Sequence, residues 1–88
     1  MTSASREDVF TLVRSHLSEE LGIDTTAIAE GTRFKEDLEA DSLDLYTLVQ
    51  ELEDTYGVRI PDEAAARILD VGAAVDYILA HQPAEPRP

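Results

Sequence analysis

Apolar residues recur at helical spacing in three separate stretches of this chain, and each stripe must be covered by the others. Val9, Phe10, Val13, Leu17 and Leu21 mark the first, which stops at Gly22. Leu45, Leu48, Val49, Leu52 and Tyr56 mark the second, which stops at Gly57, and Val71, Ala74, Val75 and Ile78 mark the third. Cap signals agree with these bounds. Ser5 precedes the first helix, with Glu7 and Asp8 in its first turn; Asp41 with Asp44 resembles a capping box; Asp70 opens the last helix. Between the second and third stripes, "VRIPDEAAARIL" reads as an extended stretch ending at Pro61 and a short helix over 62–68 that contributes Ile68 and Leu69. No strand pattern and no internal repeat appears. The expected fold is all-α: a small four-helix bundle, three longer helices and one short one.

From Gly22 to Asp41 no period persists, and so long a connection inside a compact domain has to be anchored or functional. Ile23, Ile28, Phe34 and Leu38 are spaced like side chains pinned into a core one at a time, with Thr25 or Thr26 capping a short turn and Gly31 marking another. Residues 1–81 form the expected domain. Residues 82–88, inside the proline-rich "HQPAEPRP", form an expected flexible tail.

A chain of 88 residues fits one domain with a single core and leaves little room for a deep catalytic cleft. Its net charge of −12 opposes nucleic acid and anionic membrane surfaces and points to basic protein partners. Without cysteine there is neither a disulfide framework nor a thiolate metal site, and a reducing cytoplasm is the expected compartment. "MTSASREDVF" lacks a signal-peptide core, and no apolar run is long enough to span a bilayer. A monomer is expected.

The stretch "DLEADSLDLYTLV" places one hydroxyl, Ser42, among Asp37, Glu39, Asp41 and Asp44. The simplest role for such a serine is to satisfy backbone donors at a helix start. Nucleophilic catalysis fits poorly: no G-x-S-x-G elbow surrounds Ser42, and the only histidines, His16 and His81, read as a surface position on the first helix and the frayed chain end. A calcium loop fits no better, since the alternating acids 37, 39 and 41 would require glycine where Ser42 stands and a bidentate glutamate where Leu48 stands. With Asp41 as the cap, Ser42 is the first residue of helix two, at the edge of the apolar face. Gln50, Leu43, Asp54 and Thr47 fall roughly 80–140° from it around the helix. Leu43 thus points outward among acids.

The longer stretch "EDLEADSLDLYTLVQELEDTYGVRIPDE" resembles the acyl carrier proteins, whose D-S-L triplet opens the second helix and is followed by an acidic amphipathic helix and an I-P-D/E turn. The likeness extends to L-G-I after helix one, F-x-E-D-L before the triplet and V-x-x-A-V-D-Y-I in the last helix. It implies a carrier with no catalysis of its own. Ser42, flanked by Asp41 and Leu43, would be the attachment point for 4′-phosphopantetheine, moved from coenzyme A by a phosphopantetheinyl transferase with magnesium. The arm would hold acyl groups as thioesters for ketosynthase, acyltransferase and other acyl-processing enzymes of fatty acid or polyketide biosynthesis. From Glu36 to Glu63 ten acids stand against Arg59 alone, net −9. Such a run is ordinarily a solvated face; here it also fits a docking patch for basic enzymes, made of Leu43, Asp44, Tyr46, Thr47, Gln50, Glu51 and Asp54. Leu48, Leu52, Ile68 and Val75 are the expected neighbours of an acyl chain, should the helices part to admit one.

The sequence departs from the family at four places. Glu39 stands where glycine or a small residue is usual, which implies a stiffer loop and added charge; Tyr46 is bulkier than the usual aliphatic; Thr47 replaces a common acid and Gln50 a common methionine. A stand-alone aminoacyl or peptidyl carrier and, in a different class, an acidic helical adaptor with no prosthetic group are the alternatives.

Overall fold

The computed structural model describes residues 5–82. Four helices follow one another: α1 (Arg6–Leu21), α2 (Ser42–Tyr56), α3 (Asp62–Ala65) and α4 (Val71–His81), with one 3-10 turn at Thr25–Ala27. There is no strand among the described residues; an isolated antiparallel bridge joins Arg33 and Asp70.

Local chemistry sets the helix ends. The Ser5 side chain accepts from the Asp8 N–H and the Asp8 carboxylate accepts from the Ser5 N–H, so two donors at the start of α1 are satisfied reciprocally. At the other end Gly22 turns left-handed (φ 69°) and donates its N–H to the Ser18 carbonyl at 2.9 Å, as Gly57 (φ 66°) does for α2. The Asp70 carboxylate accepts from the Ala73 N–H at 2.7 Å and starts α4.

Helix α1 packs against both α4 and α2. Val9, Val13 and Leu17 from α1 and Val71, Val75 and Ile78 from α4 are wholly buried; full burial of each such side chain stabilises by about 1.5–3 kcal/mol. Leu48 and Leu52 bring α2 into the same core, while Leu45, Val49 and Tyr56 are half-buried on its flank.

The long connection is pinned as its apolar residues indicate: Ile28 and Phe34 are buried and Ile23 and Leu38 half-buried. Backbone bonds also hold it. The Phe34 N–H donates to the Leu69 carbonyl at 3.1 Å, Val71 to Thr32 at 3.0 Å, and Gly72 to Glu30 at 2.7 Å. A side chain on Gly72 would bring its Cβ to 3.0 Å from the Glu30 carbonyl oxygen, tighter than ordinary van der Waals contact, so glycine suits this close approach. Arg6 adds a charged tie, reaching Glu30 with Nε and Nη2 and Asp76 with Nη1.

Three expectations are corrected. Asp24, and neither threonine, caps the 3-10 turn: its Oδ1 accepts from the Thr26 N–H and from Thr26 Oγ1, both at 2.9 Å, because a carboxylate outcompetes a hydroxyl as acceptor. The short helix ends at Ala65 rather than near 68, and Leu69 is 65% exposed, because residues 69 and 70 leave the helical path to pair with the loop at 33 and 34. His81 is not frayed but closes α4, its ring stacked on Tyr77 at 4.0 Å, and Gln82 donates its N–H to the Ile78 carbonyl at 2.8 Å. Residues 83–88, the rest of the expected tail, lie outside the described residues.

Candidate functional site

Ser42 is the first residue of α2 and is exposed. Asp41 Oδ1 accepts from the Asp44 N–H at 3.0 Å and Asp44 Oδ2 accepts from the Asp41 N–H at 3.1 Å, the capping box that the spacing predicts. Both carboxylates beside the serine are thereby committed to backbone. The N–H groups of Ser42 and Leu43 belong to the first turn, where helix geometry provides no carbonyl partner.

The chain reaches Ser42 through a fixed turn. Ala40 is buried and donates its N–H to the Phe34 carbonyl at 2.9 Å; Glu39 donates to Lys35 at 3.1 Å. Between these bonds Glu39 adopts φ 56°, the left-handed region that favours glycine. The position where the resemblance expects a small residue is therefore one that requires an unusual backbone. Glutamate is strained there.

From Ser42 a groove of about 600 Å³ runs between α2 and α3. Ser42, Tyr46, Val49, Gln50 and Glu53 lie along its α2 side; Ile60, Ala65, Ala66 and Ile68 face them; Phe34, Leu48, Leu52 and Ala74 also border it. Its size is that of a small-molecule site, and its lining is mostly apolar. Leu48, Leu52 and Ile68 were expected beside a cargo and do line it. Val75 does not, being sealed in the core, and Ala74 takes its place. Two wall residues were missed as such. Tyr46 was read only as an outward residue, and Glu53 only as one charge in the acidic run, although its carboxylate accepts from the Ile60 N–H at 2.7 Å and holds the far wall. Both lie within about 40° of Ser42 around the helix, so the wheel carried the signal.

Neither histidine borders the groove. His16 is half-buried on α1 with Nε2 3.4 Å from Thr47 Oγ1, and His81 ends α4. No base from either is directed at Ser42, and no group of three or more metal-ligating side chains exists among the described residues. The site offers an accessible alcohol and a cleft.

The expected docking residues divide. Leu43 and Tyr46 are 66% and 61% exposed, and Gln50, Glu51 and Asp54 are exposed beyond them. Asp44 and Thr47 are half-buried, and the Thr47 hydroxyl donates to the Asp44 carbonyl at 2.8 Å. At the start of the acidic run, Arg33 pairs with Glu36 and Asp37. The Arg33 N–H, and then its guanidinium, holds the Asp37 carboxyl below the usual carboxylate range. Among the described residues, the acids of α2 (Asp44, Glu51, Glu53 and Asp54) are in no ion pair.

This arrangement has close counterparts. Residues 11–78 match the family model described as the phosphopantetheine attachment site. A curated acyl carrier protein from Rubrobacter xylanophilus is 44% identical over 79 residues, covering 90% of this chain and 98% of that protein. One from Thermotoga maritima is 44% identical over 75 residues, covering 85% and 93%. Among solved structures, the acyl carrier protein from Enterococcus faecalis superposes with a TM-score of 0.76 at 40% identity, covering 88% of this chain and 98% of that one. The local chemistry fits the group such proteins carry: an exposed hydroxyl, first-turn N–H donors suited to a phosphodiester, and an apolar groove leading away from it.

Proposed function

The chain belongs to the acyl carrier proteins and carries 4′-phosphopantetheine covalently, and from that premise we propose that Ser42 is the attachment point. The supporting observation is the exposed Ser42 hydroxyl at the start of α2, with Asp41 and Asp44 committed to the cap on either side. When bound, the arm supplies a terminal thiol that holds acyl groups as thioesters. What this chain supplies is position. Ser42 and Leu43 present first-turn N–H groups toward a phosphodiester, and the helix dipole favours that charge. With no base of its own the hydroxyl stays inert until a transferase provides one. A cysteine-free chain leaves the arm's thiol as the sole thiol of the loaded protein, which suits a reducing cytoplasm.

Leu43, Asp44, Tyr46, Gln50, Glu51 and Asp54 form the docking face for a phosphopantetheinyl transferase and for ketosynthase, acyltransferase and related enzymes, with Thr47 at its edge. The groove between α2 and α3 receives the cargo. Among pathways, polyketide-type assembly is favoured over primary fatty acid synthesis, because Tyr46, Thr47 and Gln50 all depart from the usual carrier pattern on the face that partners meet. Mass spectrometry of a co-purified thioester identifies the cargo and decides between them.

The attachment is tested by incubating the protein with coenzyme A, magnesium and a broad-specificity transferase and weighing it intact. One arm adds to the wild type and none to Ser42→Ala. An arm on Ser42→Ala, or none on the wild type, removes the proposal.

A further inference from the structure

Among its seven basic residues the chain has six arginines and a single lysine, Lys35. A guanidinium stays protonated and is no nucleophile, whereas a lysine amine can attack an acyl carbon. Lys35 is therefore the one side-chain amine that an activated acyl group on this protein can meet. It is exposed and, among the described residues, its ammonium is in no ion pair or hydrogen bond. The neighbouring acids Glu36 and Asp37 are engaged by Arg33 instead.

Lys35 also borders a second, smaller cavity of about 190 Å³ with Phe34, Leu45, Ile68 and Leu69. Phe34, Leu45 and Ile68 line the Ser42 groove as well, so the two cavities back onto the same apolar side chains. The bond from the Ala40 N–H to the Phe34 carbonyl folds the loop on itself. By covalent reach this brings the Lys35 and Ser42 Cα atoms within about 15 Å of each other. A short flexible arm rooted at Ser42 then holds its cargo near Lys35 at an effective concentration on the order of millimolar.

We propose that Lys35 is an acyl-acceptor site, taking the acyl group from the thioester carried on this chain's own arm. This rests on the arm being attached at Ser42. In the step, Nζ of the neutral amine attacks the thioester carbonyl; the C–N bond forms, the C–S bond breaks, and the proton released by nitrogen passes to the departing thiolate. The products are an amide on Lys35 and a free thiol, with no oxidant or further reactant. The amide does not return to the thiol, so the modification records each time the cargo lingers undelivered, and it erases the positive charge at position 35.

The test loads the full chain from hexanoyl-coenzyme A with a transferase, confirms the arm by intact mass, and holds the product at mildly alkaline pH. Hydroxylamine then strips thioesters and leaves amides for peptide mapping. Hexanoyl-Lys35 is expected in the loaded wild type at least about tenfold above Ser42→Ala exposed to the same hexanoyl-coenzyme A. It is expected to form at a rate unchanged by about tenfold dilution of the protein, and to be absent from Lys35→Arg, which still takes the arm. If no arm adds, the assignment of Ser42 fails. If the arm adds but hexanoyl is missing from Lys35, lies only on the terminal amine, slows on dilution or matches Ser42→Ala, the inference fails while the assignment stands.

Discussion

Two regions of the bundle are built differently. Where α1 meets α4, Val9, Val13, Leu17, Val71, Val75 and Ile78 are completely buried, and interiors packed in this way resist any change of shape. Where α2 meets α3, Leu45, Val49, Ala65 and Ile68 are only half-buried around a groove, and α3 is a single turn with no side-chain cap. The first makes a rigid base for the bundle; the second leaves space beside the start of α2, which its own Asp41–Asp44 capping box fixes. A carrier needs both, because the attachment residue must be presented in one geometry while the cargo must come and go.

Truncation tests this contrast most strongly. Leu17→Ala should cost about 3–4 kcal/mol, whereas Leu45→Ala on the groove side should cost about 1 kcal/mol, since the cost grows with the cavity left behind and that flank is already open. Denaturant unfolding of both variants checks it, and equal losses would erase the distinction. Next in size, Asp41→Ala should lose about 1 kcal/mol by removing the cap at the start of α2. Because the same cap orients Ser42, that variant should also load more slowly, whereas Asp70→Ala, a cap on the closed side, should lose similar stability and load normally.

Glu39→Gly should gain about 0.5–1 kcal/mol by relieving the left-handed strain, the gain being reduced by the greater freedom of glycine in the unfolded chain. Thermal unfolding measures it, and a loss would mean that the glutamate side chain is needed there. The smallest effect concerns Asp37. Its carboxyl titrates below the ordinary value of about 3.9 in the folded protein, so its contribution is present above that value and fades as pH falls through the folded pKa. The stability difference between wild type and Asp37→Asn should therefore shrink on acidification below about pH 4, and one that grows would contradict the pairing with Arg33.

The helices were largely legible in the sequence, because helical periodicity and caps act locally: Ser5, Gly22, Asp41, Asp44, Gly57 and Asp70 each do where they stand what their chemistry favours. The connections between them were less so. That Gly72 sits against the Glu30 carbonyl and that residues 33 and 34 pair with 69 and 70 depend on partners distant along the chain, whereas Asp24 displaces the threonines as cap of the 3-10 turn locally, by accepting from Thr26 two residues on. The short helix stops at Ala65 because of the same distant pairing. The backbone of Glu39 is a different case, since nothing in a glutamate asks for a positive φ. The resemblance marked the position as one that usually holds a small residue, and only the geometry supplied the reason.

The most direct test of this division of labour is to locate the arm. After loading from coenzyme A, proteolysis and fragment mass analysis should find 4′-phosphopantetheine on the peptide containing Ser42, with the added mass at that residue. An arm found at another hydroxyl, such as Thr47 or Thr55, would contradict the account.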